Sequence, residues 1–384
     1  MKKIIAALIA LSSLFPFSAK GMESFNLKQS VNRFSINLFN VTNKAKNSFL
    51  SPYSIYLAFG PIYEGAAGKT EEELKIGFEY PEKCKLRKAV LKELKEKIKT
   101  PLKIFNGLYV ERRYNFLRSY INIVKTYYLS EVKKVDFIDP EKRYLAIKLI
   151  NNDVKNATEG KIKDLIHPSD GNRLTRLINI NAIYFKDSWK KPFNKNNTKK
   201  RPFFTGNKTI SVPTMETTGY FKIYKSQDVK AVSIPYRSGF EMTIIVPQKK
   251  FHLTLENYRK IKRAMKRKFI KLYLPKFHIK ERLYLKKYLV KLHVVLPFIW
   301  KANFKNMDGT KNLYIQKAIH QTFINVNENG TEAAAATAVI VGLKCIPPEP
   351  REVFRVDRPF IFTISDKKGT ILFIGNVRNP EEKE

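Results

Sequence analysis

The hydrophobic pattern of this chain changes period partway along, and that change restricts the fold more than any other feature. In the first half, apolar residues recur at helical spacing. In the second half they alternate, and β-branched residues become frequent. A helix face repeats about every 3.6 residues and a strand face every two. The spacing predicts helices over residues 25–41, from Ser51-Pro52 onward, and over 87–99, 144–154 and 160–166. Pro52 stands early in its helix, where a missing N–H is harmless. Gly60-Pro61 should kink or end that helix. Leu86, Val90, Leu91, Leu94 and Ile98 form one apolar side of the third helix. Strands are predicted at 177–185, at 229–235 and 241–246 as a hairpin around Arg237-Ser238-Gly239, at 269–277, and at 360–365 with 370–377. Helices first and strands later is an α+β order.

Residues 1–21 read as a signal peptide, with Lys2 and Lys3 ahead of an apolar run from Ile4 to Phe17. Ala19 and Gly21 suit cleavage before Met22, and cleavage after Ala19 fits the same pattern. The alternative is an N-terminal anchor, but the run falls short of the roughly 20 apolar residues a spanning helix needs. No later segment comes closer, so a secreted, extracellular protein without a membrane span is expected. From residue 22 to 384 no Pro/Gly/Ser-rich linker, low-complexity block or repeat divides the chain. One large domain is the simplest organisation, and a monomer is expected.

Lys and Arg number 72 against 34 Asp and Glu. Such a field favours polyanions, acidic membranes or negatively charged partners, although an even spread of lysines also fits a general lysine bias. Cys84 and Cys345 are the two cysteines, too few for a disulfide framework. Formal glycosylation sequons begin at Asn40, Asn156, Asn196, Asn207 and Asn329. No G-x-S-x-G, H-E-x-x-H, phosphate-binding loop, dinucleotide fingerprint or paired C-x-x-C occurs. The five histidines lack metal-ligand spacing. No catalytic residues, metal or cofactor are expected, and the chain does not read as an enzyme.

The unusual stretch runs from Glu328 through Asn329, Gly330, Thr331, Glu332, Ala333, Ala334, Ala335, Ala336 and Thr337 to Val341. Four alanines between threonines fit a short helix or an extended segment. The following Gly342-Leu343-Lys344-Cys345-Ile346-Pro347-Pro348 cannot continue a helix. Read as a strand, Thr331, Ala333, Ala335, Thr337, Val339, Val341 and Leu343 share one small or apolar face. Glu332, the one charge from Thr331 to Leu343, lies on the other face. Such a segment could enter a sheet without burying a charge, which would be costly. Gly330 supplies a hinge.

This stretch resembles the reactive-loop hinge of the serpins, and further blocks agree in order along the chain. They are Asn47-Ser48-Phe49-Leu50-Ser51-Pro52, Gly65-Ala66-Ala67-Gly68-Lys69-Thr70, Ile150-Asn151 with Thr158-Glu159-Gly160, and Asn181-Ala182-Ile183-Tyr184-Phe185-Lys186 with Trp189. Leu274-Pro275-Lys276-Phe277, Asp357-Arg358-Pro359-Phe360 and Phe373-Ile374-Gly375-Asn376-Val377 complete the pattern. The resemblance implies the α+β serpin fold, with three β-sheets, about nine helices and an exposed reactive-centre loop at about 328–350. It implies a serine-protease inhibitor that acts as a suicide substrate: the protease attacks the loop, and the cut loop inserts into the main sheet. Counting 16 positions from Glu328, as the family does, puts the bait at Lys344, with Cys345 where the family usually has serine. Lysine there suits a trypsin-like serine protease. A loop one residue shorter would make the bait Leu343 and the target chymotrypsin-like.

The family's shutter, where the sheet parts, maps onto Ser51, Ser54, Asn151 and His320. Buried polar residues needing partners would explain the same four. A glycosaminoglycan or other polyanion is a candidate partner. Lys260, Lys262, Arg263, Lys266, Arg267, Lys268 and Lys271 form one cluster, and Lys83, Lys85, Arg87, Lys88, Lys92, Lys95 and Lys99 crowd a helix used for heparin by some serpins. Asp153 departs from the family, which often has tryptophan there, and so does Gly60-Pro61. The runner-up is a non-inhibitory serpin, a carrier, chaperone, storage or polyanion-binding protein. Such members typically carry bulky or charged residues, or proline, in the hinge, whereas this hinge has small ones.

Overall fold

The computed structural model describes residues 25–42, 46–331 and 352–382. The predicted signal peptide, the bait Lys344 and Cys345, and the hinge residues Glu332, Ala333, Ala334, Ala335, Ala336 and Thr337 lie outside the described residues.

Seven longer helices are α1 (Leu27–Thr42), α2 (Pro52–Gly65), α3 (Lys69–Phe78), α4 (Lys83–Lys97), α5 (Arg118–Tyr128), α6 (Pro140–Ala157) and α7 (Leu255–Ala264); α8 (Lys286–Leu289) and α9 (Lys305–Asp308) are single turns. The largest sheet runs in the order β1 (Ser48–Leu50), β16 (Ile371–Val377), β15 (Phe360–Ser365), β9 (Glu241–Pro247), β8 (Val229–Pro235), β7 (Thr209–Lys225), β10 (Lys266–Pro275) and β14 (Glu352–Arg355), with β6 (Lys199–Phe204) also on β7. A second sheet joins β11 (Phe277–Tyr284), β12 (Ile319–Asn327), β13 (Gly330–Thr331) and β5 (Asp187–Ser188). A third joins β3 (Glu131–Val135), β2 (Leu102–Glu111) and β4 (Leu177–Phe185). Nine helices and three sheets among the described residues agree with the expected architecture.

The local chemistry explains the elements that matter for function. Ser51 caps α2 by accepting from the Ser54 N–H, and Pro52 takes the first helical position. Pro61 does not end α2, which continues to Gly65. Nearly the whole helix is buried, so packing outweighs the lost backbone bond. Gly60 lets α5 close in, since a Cβ there would lie 2.2 Å from the Tyr128 ring. Phe34, Phe59 and Tyr80 each stack against Phe78, at centroid separations of 4.6–5.1 Å. The expected helix at 160–166 does not form. Glu159 and Gly160 take positive φ, +50° and +78°, which ends α6 and releases an irregular strap. In α4, Leu86, Val90 and Leu94 are buried, but Ile98, just past its end, is 70% exposed.

β15 and β16 are buried on both faces and are mostly apolar, with Thr363, Ser365 and Asn376 the polar exceptions. β1, from the start of the chain, pairs antiparallel with β16, from its end. The strap between α6 and β4 is tied to the second sheet. Arg282 donates to the Leu165 carbonyl at 3.2 Å, and the Asp170 carboxylate meets Arg282 at 2.8 Å and Lys317 at 2.9 Å. Among the described residues, no helix is long and apolar enough to cross a membrane.

Candidate functional site

The site is a parting between two sheets that run side by side. β4 is paired with β2 on one edge, and β12 with β11 on the other. β4 and β12 lie next to each other, yet no ladder joins them. At the β5 end the parting is already filled. There the chain turns back after Asn327, and Gly330 and Thr331 form β13 between β12 and β5, antiparallel to both. At the other end, a cavity of about 400 Å³ lies between the start of β4 and the start of β12, lined by Ser54, Asn179, Asn181, Gln316, Ile319 and His320 among others.

Glycine is required at residue 330. Its φ is +155°, and a Cβ would stand 2.1 Å from the Asp187 carbonyl oxygen. Thr331 is buried, and its hydroxyl lies 2.6 Å from the Tyr236 hydroxyl. Trp189 fastens the turn, donating from Nε1 to the Asn327 carbonyl and from its backbone to the Asn329 carbonyl, both at 2.9 Å. The Glu328 carboxylate, nearly buried, meets Lys276 Nζ at 3.0 Å and accepts from the Thr198 hydroxyl at 2.9 Å. Burial works to raise its pKa. Hydrogen bonds from the backbone, Lys276 and Thr198, with the Lys276 charge, overcome burial and hold it below the usual carboxylate range.

Beneath the parting, the N-terminus of α2 meets β12. The Ser51 N–H donates to Nε2 of His320 at 3.0 Å, and the Ser51 hydroxyl donates to the Leu372 carbonyl at 2.7 Å. An imidazole accepting at Nε2 is neutral, with its proton on Nδ1. Burial pushes the pKa of His320 down to about 3. The Ser54 hydroxyl donates to the Asn181 side-chain oxygen on β4. Asn181 in turn donates to Asn106 at 2.6 Å, and Asn106 donates to the Tyr128 carbonyl at 2.9 Å. One polar chain therefore links α2, β4, β2 and α5.

Ser51, Ser54 and His320 are thus brought together, but Asn151 is not. It lies on α6, and its amide donates to the Ile166 carbonyl at 2.7 Å and accepts from the Ile166 N–H at 3.0 Å. It secures the strap. Asn181 occupies the place expected of Asn151. A signal for it lay in β4 itself, Leu-Ile-Asn-Ile-Asn-Ala-Ile-Tyr-Phe, where Asn179 and Asn181 interrupt an apolar strand at period two. Lys276 stood in the Leu274-Pro275-Lys276-Phe277 block but carried no sign of its role there, and Tyr236 carried no local signal.

The basic cluster also separates. Lys262 is withdrawn from the surface, with Nζ 2.6 Å from Glu241 and 2.9 Å from the Thr243 hydroxyl; burial lowers its pKa. Lys260 and Arg263 stay exposed on α7, and Lys266 and Arg267 at the start of β10. Lys268 pairs with Glu352 at 3.1 Å, and Lys271 with Glu216 at 2.7 Å. Cys84 is free and exposed.

The chain thus folds into three sheets in which β4 and β12 lie side by side without a ladder, and the short strand β13 is lodged at one end of that gap. The model of the serpin (serine protease inhibitor) family matches residues 29–380. A serpin-like protein of Thermococcus kodakarensis is 36% identical over 369 residues, covering 92% of this chain and 85% of its own length. Neuroserpin of Rattus norvegicus is 31% identical over 404 residues, with 98% and 96% covered. Among solved structures, Serpin48 of the insect Tenebrio molitor, described as a highly specific serpin, superimposes with a TM-score of 0.80 at 31% identity, covering 93% of this chain and 99% of its own. The cleaved form of Serpin 42Da gives 0.82 at 26% identity, covering 92% and 98%. The chain belongs to the serpin family.

Proposed function

We propose that this serpin is an exported suicide inhibitor of trypsin-like serine proteases, with Lys344–Cys345 as the bait bond. The protease's serine oxygen attacks the Lys344 carbonyl carbon. The amide bond to Cys345 breaks, the Cys345 amine leaves with a proton, and Lys344 remains esterified to the protease. The strand then continues from Thr331 between β4 and β12, antiparallel to both, and carries the protease with it.

One observation carries the reading: Gly330 and Thr331 sit between β12 and β5, at the head of a parting that no ladder closes. Each further residue would gain backbone hydrogen bonds on two edges. The small residues that follow suit that passage, which favours inhibition over a carrier role. Lys344 is the acid-pocket residue in this assignment, and the N-terminal apolar run supports export. Incubation with trypsin, followed by denaturing electrophoresis and mass spectrometry, tests it. A covalent complex ending at Lys344 is expected; clean cleavage without a complex would mean a non-inhibitory serpin.

A second, compatible reading is polyanion binding along α4. Lys85, Lys88, Lys92, Lys95 and Lys99 are exposed at spacings of three and four residues, forming one stripe.

A further inference from the structure

The described residues break off at Thr331 and resume at Glu352, the first residue of β14. Glu352 is in register with Ile270 of β10, and the next β10 position, Phe269, is paired with Tyr220 of β7. The inner face of these three strands is apolar and buried, with Ile270, Leu272 and Phe354. The outer face is unusual. Tyr220 is 61% exposed and Val353 40% exposed. The Tyr220 and Phe269 rings are 5.0 Å apart, and the Arg267 guanidinium lies 4.6 Å from the centre of the Tyr220 ring.

Cations surround this apolar centre. Lys222 stands opposite Arg267, Thr218 and Val353 flank Lys271, and Arg355 lies over the ring of Tyr273 at 5.3 Å. Glu216 is the single carboxylate on the outer face of this ladder, and Arg201 and Lys271 both hold it at 2.7 Å. Exposed tyrosine and arginine held by stacking lose little side-chain freedom on contact, and they dominate binding energy at protein interfaces.

We infer that this face is an accessory docking surface for the protease that attacks the loop, and that it selects proteases with an acidic surface beside the active-site cleft. The inference rests on the inhibitory reading for its occupant. Lys344 precedes Glu352 by eight residues (352 − 344). Eight extended residues span at most about 29 Å, so a protease gripping the bait bond is held within its own dimensions of this face. Complementary charge raises the rate of encounter more than the strength of the final complex. The face would therefore set how fast a protease is captured, while the bait residue sets which bond it cuts.

The test uses the full chain and two trypsin isoforms, one anionic and one cationic. Capture rates are measured for the wild type and for Tyr220→Ser with Lys222→Glu and Arg267→Glu, at low and high salt. The variant should capture anionic trypsin about tenfold more slowly at low salt, lose much of that difference at high salt, and unfold at an unchanged temperature. Capture of cationic trypsin should be little altered. Equal rates for variant and wild type with both isoforms would overturn the inference and leave the inhibitory reading intact. If the wild type forms no covalent complex, the inhibitory reading fails. The face is then judged by equilibrium binding to anionic trypsin carrying alanine at its nucleophile: a tenfold weakening supports it, and equal affinity overturns it. A variant that loses only affinity for a single-stranded oligonucleotide, with protease capture untouched, also overturns it.

Discussion

The Thr331 hydroxyl meets the Tyr236 hydroxyl at 2.6 Å, buried between the sheet that carries β12 and the largest sheet. Thr331 is the last described residue before the segment proposed to carry the bait. Thr331→Arg would put a charge into that contact, and an unpaired buried charge is not tolerated. The variant should be cut at Lys344 by trypsin yet form little covalent complex. A gel comparing complex with cleaved product decides it; an unchanged complex yield would sink the insertion mechanism for this chain.

Gly330→Ala tests the same seat without charge. Its Cβ would lie 2.1 Å from the Asp187 oxygen, so β13 must leave its place between β12 and β5. We expect slower insertion and a fall in complex yield, with the rest of the fold retained. Backbone amide exchange at Thr331 should become faster in the variant.

Lys344→Ala should abolish inhibition of trypsin-like proteases at unchanged thermal stability. Inhibition persisting with cleavage at Leu343 would shift the register by one residue and the target to chymotrypsin-like enzymes.

His320 makes stability depend on pH. Its pKa in the folded state is about 3, against about 6.5 for a free histidine. Above about pH 6.5 both states are neutral and the residue adds no pH dependence. Below it the unfolded chain binds a proton that the folded chain refuses, so its contribution falls with pH until about pH 3. Urea unfolding of the wild type and His320→Gln should show the wild type losing more stability between pH 6.5 and 4. Parallel pH profiles would remove His320 as the cause.

Charge reversal at Lys85, Lys92 and Lys95 should lower the salt needed to elute the protein from immobilised heparin, because released counterions drive such binding. Reversal of Lys262 should act instead through destabilisation, since that half-buried side chain is paired with Glu241. Equal elution shifts for any three reversed lysines would mean that overall charge, not the α4 stripe, is responsible.

Much of this was legible in the sequence because it is local. β4, β8 and the start of β9 follow from alternation and β-branching, and Ser51-Pro52 announces a capped helix. The reactive-loop reading of the small-residue run rests on the sequence alone, because Glu332 to Thr337 lie outside the described residues. Tertiary structure decided the rest. Pro61 remains in a helix because its surroundings are packed on every side, which no helix propensity reports. Asn181 rather than Asn151 meets Ser54 because sheet pairing and helix position, not sequence distance, choose hydrogen-bond partners. Lys262 on α7 turns away from the basic surface because Glu241, at the start of the preceding strand β9, lies beneath it. Local composition determines what each segment can become. Which polar groups face one another, and which strand edges stay unpaired, is set only when distant segments are brought together.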